Sequence, residues 1–190
     1  HAGVCLLAPL LIAVIASRVT EIERAGNGWL LFAASGTTPG QLCRAKFLAL
    51  GAPLAAVCVL WGLCVPMWGA LLGVPAPVPT GRIVAYTASV CVISLVILAL
   101  QLLISLASDN QLLAVGAGML GVLLSMIGAM APTWAQYLTP WTYYSLVAPM
   151  TFTGSDPVYL DAPFPGALVL AIAGAVAFTV ITTRLDRKEV

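Results

Sequence analysis

Charge is what this sequence has least of. Only 8% of its 190 residues are Asp, Glu, Lys or Arg, against 61% that are hydrophobic, whereas soluble domains carry about 25% charged residues. Such a chain cannot build a water-facing surface. The stretches 47–81, 83–108 and 162–183 contain no charged residue at all, and each exceeds the ~20 apolar residues that cross a hydrocarbon core of about 30 Å. With a net charge of +1 and no basic cluster to neutralise a run of phosphates, no nucleic-acid partner is expected.

Further absences narrow the chemistry. The only histidine is His1, which excludes His-based dyads and triads and the HExxH metal motif. Neither Lys46 nor Lys188 follows the glycines of a phosphate loop, and no GxSxG occurs. Glu21 and Glu23 point about 200° apart on a helix, so they cannot share a proton or a metal. Asp156 and Asp161 have no metal-ligand types beside them and read as solvated loop charges. The five cysteines are an odd set, mostly inside apolar runs, where a free thiol behaves as a small hydrophobe. No catalytic residue, no metal site and no cofactor site is expected in this chain. The apolar helices also lack ionisable groups. Burying one costs about 2.5–3.5 kcal/mol or more and usually marks a proton or ion pathway, so a proton-coupled pump is disfavoured. Gln101 is the strongest polar residue at depth, and it reads as a helix–helix hydrogen bond.

What remains is an all-α integral membrane protein forming a single transmembrane domain. Five transmembrane helices are visible, at about 2–17, 47–72, 83–107, 111–131 and 166–183. They are separated by a polar elbow, 18–46, the Pro-rich turn 73–82, a tight turn at Ser108–Gln111 that fits a capping box, and an aromatic segment, 132–165. Residues 2–17 supply only about 24 Å and lack the basic start of a secretory signal. The natural chain is therefore expected to extend before His1, giving six helices. Arg18, Arg24, Arg44, Lys46, Arg184, Arg187 and Lys188 fall on one side of the membrane and Arg82 alone on the other, which places the elbow and the C-terminus in the cytoplasm. The inner (cytoplasmic) membrane, crossed several times, is the expected location.

Two segments do more than span. In the elbow, Val19, Ile22, Trp29 and Phe32 or Ala33 recur at helical spacing, opposite Thr20, Glu23, Arg24 and Asn27. This predicts an amphipathic helix along the membrane surface. Thr38-Pro39-Gly40-Gln41 then reads as an N-cap, a proline at the first helical position and a capping-box Gln, so the next helix starts in the cytoplasm and enters the bilayer past Arg44 and Lys46. An elbow of this length exceeds the usual connection of about 2–8 residues in bundles and suits a docking surface better than a simple anchor. On the other side, Trp134, Tyr137, Trp141, Tyr143 and Tyr144 suit the headgroup level. Residues Thr133–Met150 read as a short helix or helical pair dipping into the outer leaflet, a re-entrant segment sheltered by protein.

The run Glu21–Leu31, then Gly36-Thr37-Thr38-Pro39, then Ala45-Lys46-Phe47-Leu48 resembles the cytoplasmic segment of type-2 ABC exporter permeases. The subgroup that protects producers against lantibiotics and related bacteriocins is the most similar. Pro140-Trp141-Thr142-Tyr143 resembles the Pro-Trp-Ser/Thr-Tyr pattern before that family's last helix, while Ser35-Gly36-Thr37-Thr38 replaces its usual Pro-hydrophobic-Ser turn. The resemblance implies a permease half that pairs with a second permease subunit, identical or not, in the lipid bilayer and binds a separate ABC ATPase subunit carrying the ATP and Mg. The elbow helix would be the ATPase-coupling helix, with Glu21, Glu23, Arg24 and Trp29 as its contacts. Pro140, Trp141, Tyr143 and Tyr144 would form an outer gate. Peptides or hydrophobic compounds would be the exported class. The alternative is a membrane-anchoring or assembly subunit without a transport path of its own; a lipid-modifying enzyme would need an interfacial catalytic cluster that the sequence does not contain.

Overall fold

The computed structural model describes residues 2–26, 34–73, 80–108, 110–128, 130–147, 150–153, 156–159 and 164–187. Its long helices are α1 (Ala2–Ala25), α2 (Pro39–Leu71), α3 (Thr80–Ala107) and α4 (Gln111–Gly128). Two single turns follow, α5 (Thr133–Gln136) and α6 (Tyr143–Leu146), then a small antiparallel hairpin, β1 (Met150–Thr153) with β2 (Asp156–Tyr159), and the closing helix α7 (Phe164–Arg187). The packed body is entirely helical. Helices α2, α3 and α7 are each long and apolar enough to cross a bilayer, and the chain is a multi-pass membrane protein.

Helix α3 is the axis of the bundle. Half of its most apolar stretch is buried, against 11% for α2 and 17% for α7, because α1, α2, α4, α6 and α7 all pack against it. Ile93, Ile97, Leu98 and Leu102 form the central layer, joined by Ile12 of α1, Tyr144 of α6 and Phe178 of α7. The remaining apolar surface of α2 and α7 faces outward, as expected where the solvent is lipid.

The ends of α1 and α2 depart from the sequence expectation because charged residues near them are paired, so the helices continue through them. Helix α1 does not stop at Arg18. Its last two turns carry the Arg18–Glu21 pair at 3.1 Å, and Thr20 donates back to the Ala16 carbonyl at 3.0 Å. Residues 19–25, assigned above to a surface helix, instead continue α1; the rest of that stretch, 27–33, lies outside the described residues. Helix α2 begins where the capping box places it. Thr38 accepts from the Gln41 N–H at 3.3 Å and Gln41 accepts from the Thr38 N–H at 3.3 Å, with Pro39 at the first position. Its 33 residues extend about 50 Å, more than one crossing requires. Helix α4 ends at Gly128 rather than near 131, and its cap is not Ser108: Asn110 accepts from the Leu112 N–H at 2.9 Å, with the Ser108 hydroxyl bracing the Asn110 N–H at 3.1 Å.

Close helix crossings depend on missing side chains. Gly118 of α4 lies against Ala13 and the Pro9 carbonyl of α1, where a Cβ would collide with the Ala13 methyl. Gln101 of α3 is fully enclosed beside them. With its amide oriented to suit its neighbours, Gln101 donates to the Ala114 carbonyl at 3.1 Å and accepts from the Gly118 N–H at 3.2 Å, which is the helix–helix bond expected of it. The Gly118→Val chain should lose about 1–3 kcal/mol through overpacking, read as a lower melting temperature in detergent. Gly116→Ala is the control: nothing lies within 4 Å of its added methyl, and it should stay within about 0.5 kcal/mol of wild type.

Candidate functional site

The end of the bundle where α1 and α7 finish and α2 begins gathers most of the described charge. Helix α2 supplies two basic residues, Arg44 and Lys46, within one turn and about 200° apart, so they reach opposite ways. Lys46 is 6% exposed and its ammonium lies 2.5 Å from the Glu23 carboxylate of α1, itself 25% exposed. Arg44 reaches α7, where it donates to Asp186 at 2.8 Å and to the Thr182 hydroxyl at 3.2 Å.

Asp186 also closes the start of α2. The Thr38 hydroxyl donates to its carboxylate at 2.5 Å, and the Gly40 N–H adds a backbone hydrogen bond. The carboxylate therefore caps a helix of another part of the chain, satisfying N–H groups that a helix start leaves without an intrahelical partner. Gly40 is required: any Cβ there would collide with the Thr182 carbonyl and the Asp186 carboxylate. The Thr38 hydroxyl first, then the Arg44 guanidinium and the Gly40 N–H, hold the Asp186 carboxyl below its ordinary value of 3.8 against the opposing effect of partial burial. Beside this cluster, Phe47 of α2 packs on Phe178 of α7 with ring centres 5.0 Å apart.

Of the residues assigned to ATPase coupling, Glu21 is engaged with Arg18 and Glu23 with Lys46. The Arg24 side chain and Trp29 lie outside the described parts. Glu21 and Glu23 thus have different partners. The residues that organise this end, Thr38, Gly40, Arg44, Thr182 and Asp186, were not singled out as a group. Only the capping box hinted at them, since a pairing across more than a hundred residues leaves no local pattern.

At the other end, residues 132–147 fold back along α4, with α5 and α6 as the helical pair. Trp141 lies flat across Gly121, where a side chain would strike the indole, and its carbonyl accepts from the Ser125 hydroxyl at 2.9 Å. Pro140 is half-buried in the turn before it. Thr142 ties the turns together, its hydroxyl 2.6 Å from the Gln136 and Thr139 carbonyls. Tyr143 meets Tyr137 edge to face at 5.6 Å. Tyr144 is fully buried, and its hydroxyl lies 2.9 Å from that of Ser94, near the middle of α3. The sequence-assigned outer residues therefore form one structural unit, anchored at half the depth of the central helix.

Among the described residues, no three His, Cys, Asp or Glu side chains come together. What the two ends can do is transmit position: one couples three helix ends through ion pairs, the other inserts a folded segment between helices. Comparison with protein-family models, with curated proteins and with solved structures finds no match.

Two outcomes follow. Glu23→Gln leaves the Lys46 ammonium enclosed without a counter-charge and should cost up to about 3 kcal/mol, while Glu23→Leu combined with Lys46→Leu should cost less than either single change, measured by melting. For Asp186, a depressed folded-state pKa means that its stabilising contribution is complete above the unfolded value of about 3.9 and fades as pH falls through the folded value. The melting temperature of wild type minus that of Asp186→Asn should therefore be constant from about pH 5 to pH 8 and shrink toward zero below about pH 4.

Proposed function

We propose that the chain is the membrane-spanning permease subunit of an ATP-driven ABC exporter, moving a peptide or hydrophobic substrate across the cytoplasmic membrane. In this reading α1 to α4 and α7 are five spans. The charged end faces the cytoplasm and the aromatic segment lies outside. The observation that carries it is the charged end of the bundle: the polar elbow whose residues resemble those of type-2 exporter permeases joins two helices, α1 and α2, whose ends are fixed by the Glu23–Lys46 and Arg44–Asp186 pairs. A docked ATPase pushing on that connection would move α1, α2 and α7 together. The lack of a phosphate loop fits a division of labour in which ATP and Mg sit on the partner. A second permease subunit completes the path, and the folded-back segment around Trp141–Tyr144 closes its outer side.

The roles within the elbow divide. Glu23, engaged by Lys46, positions the end of α1. Glu21, Arg24 and Trp29 are the residues proposed to touch the ATPase. Like-charge juxtaposition at an interface costs several kcal/mol, so Glu21→Arg combined with Trp29→Ala should lower recovery of the ATPase with the detergent-solubilised chain by about tenfold or more, a loss of about 1.4 kcal/mol. Glu23→Gln should lower the melting temperature yet leave recovery per folded chain unchanged. Full recovery with the Glu21/Trp29 variant would remove the coupling assignment and favour an anchoring or assembly subunit.

A further inference from the structure

The last turns of α7 have two sides of different chemistry. Phe178, Thr182 and Asp186 follow one another at four-residue spacing and face α2: Arg44 donates to Thr182 and Asp186, and Phe178 packs on Phe47. Arg184 and Arg187 stand on the far side of the helix from that row, and both are exposed.

The ion pairing at this end leaves them out. Among the described residues, Glu21 is taken by Arg18, Glu23 by Lys46 and Asp186 by Arg44, and no carboxylate engages Arg184 or Arg187. Three residues apart on a helix, they are neighbours on its surface. The helix dipole favours cations at this terminus, but that effect ends within the last turn and asks nothing of the residues before it. Here the same face continues through Val180, Val176, Ala173 and Val169, all of them exposed. From Arg184 to Ala173 the strip is about 16 Å long, close to half of a hydrocarbon core about 30 Å thick. A pair of uncompensated guanidiniums thus stands at the head of an apolar strip one leaflet deep. Guanidinium groups fork onto phosphate oxygens, and long basic side chains reach from apolar surface to the headgroup level. Phosphatidylcholine cancels its phosphate charge with its own quaternary ammonium, whereas phosphatidylglycerol leaves it open to a protein cation.

We propose that the outward face of α7 binds an anionic phospholipid, its phosphate held by Arg184 and Arg187 and an acyl chain lying along Val180, Val176, Ala173 and Val169. Such a lipid fastens the end of α7 from the side that α2 does not reach. The site needs no ATPase and stands apart from the exporter reading. To test it, the full-length chain in a non-ionic detergent is mixed with equimolar phosphatidylglycerol and phosphatidylcholine of the same acyl chains, and the lipids retained are counted by native mass spectrometry. Wild type should prefer phosphatidylglycerol about fivefold or more, the worth of one basic residue at a membrane surface. Arg184→Gln combined with Arg187→Gln should bring the ratio close to one, with a lipid-free melting temperature equal to that of wild type because both side chains are exposed. Arg18→Gln, which removes a cation elsewhere at the same end, should keep the preference. Equal retention of the two lipids by wild type would overturn the site, as would a preference that survives the double change or falls as far in Arg18→Gln. Displacement of phosphatidylglycerol by inorganic phosphate at the same concentration would also overturn it, since the strip would then contribute nothing.

Discussion

Two basic residues within one turn of α2, Arg44 and Lys46, face an apolar bundle, and the way their charges are met decides the arrangement around them. An unpaired ammonium or guanidinium beside hydrocarbon would cost several kcal/mol. Lys46 therefore needs Glu23 and Arg44 needs Asp186. Meeting both demands draws the end of α1 to one side of α2 and the end of α7 to the other. It also explains why these helices continue through polar sequence, why Gly40 has no side chain, and why the Asp186 carboxylate doubles as a cap for α2. The chain has few charges, and those near this end serve as fasteners.

At the opposite end, small residues receive the folded-back segment. Gly121 and Ser125 receive Trp141, Gly128 lies against Thr142, and Ser94 meets Tyr144. Small residues let the folded-back segment approach the helix backbones, and its carbonyls and hydroxyls bond among themselves, as non-helical backbone at such depth must. One end is thus fixed by ion pairs and the other by close packing. Helix α3 runs between them as the common contact.

The sequence made the three long apolar helices α2, α3 and α7 legible because apolar length is a local property, and the start of α2 because a capping box is written within four residues. The helical pair after Pro132 was legible from the clustering of Trp and Tyr. The fate of residues 19–25 was not: their apolar spacing suits a surface helix as well as the end of a buried one, and only Lys46, distant in sequence, decides between them. The same holds for the cap of α4, where Ser108 and Asn110 are both competent and geometry selects Asn110. The hairpin Met150–Thr153/Asp156–Tyr159 had a local signal that the sequence reading passed over, since Met150-Thr151-Phe152-Thr153 alternates and Gly154-Ser155 is a hairpin-turn pair, with Pro157 masking the second strand. The Arg44–Asp186 pairing joins residues 142 apart in the chain and has no sequence signature at all.

Fasteners at the charged end make sense if that end receives force, and an ATPase docked on the elbow would supply it. The direct test is to purify the full-length tagged protein in mild detergent from membranes in which a candidate ABC ATPase is demonstrably produced, and to weigh the intact complex by native mass spectrometry. A stoichiometric ATP-binding chain, retained with the permease and hydrolysing ATP, is the predicted result. Recovery of this chain without any such subunit would contradict the exporter account and leave a membrane-anchoring or assembly role in its place.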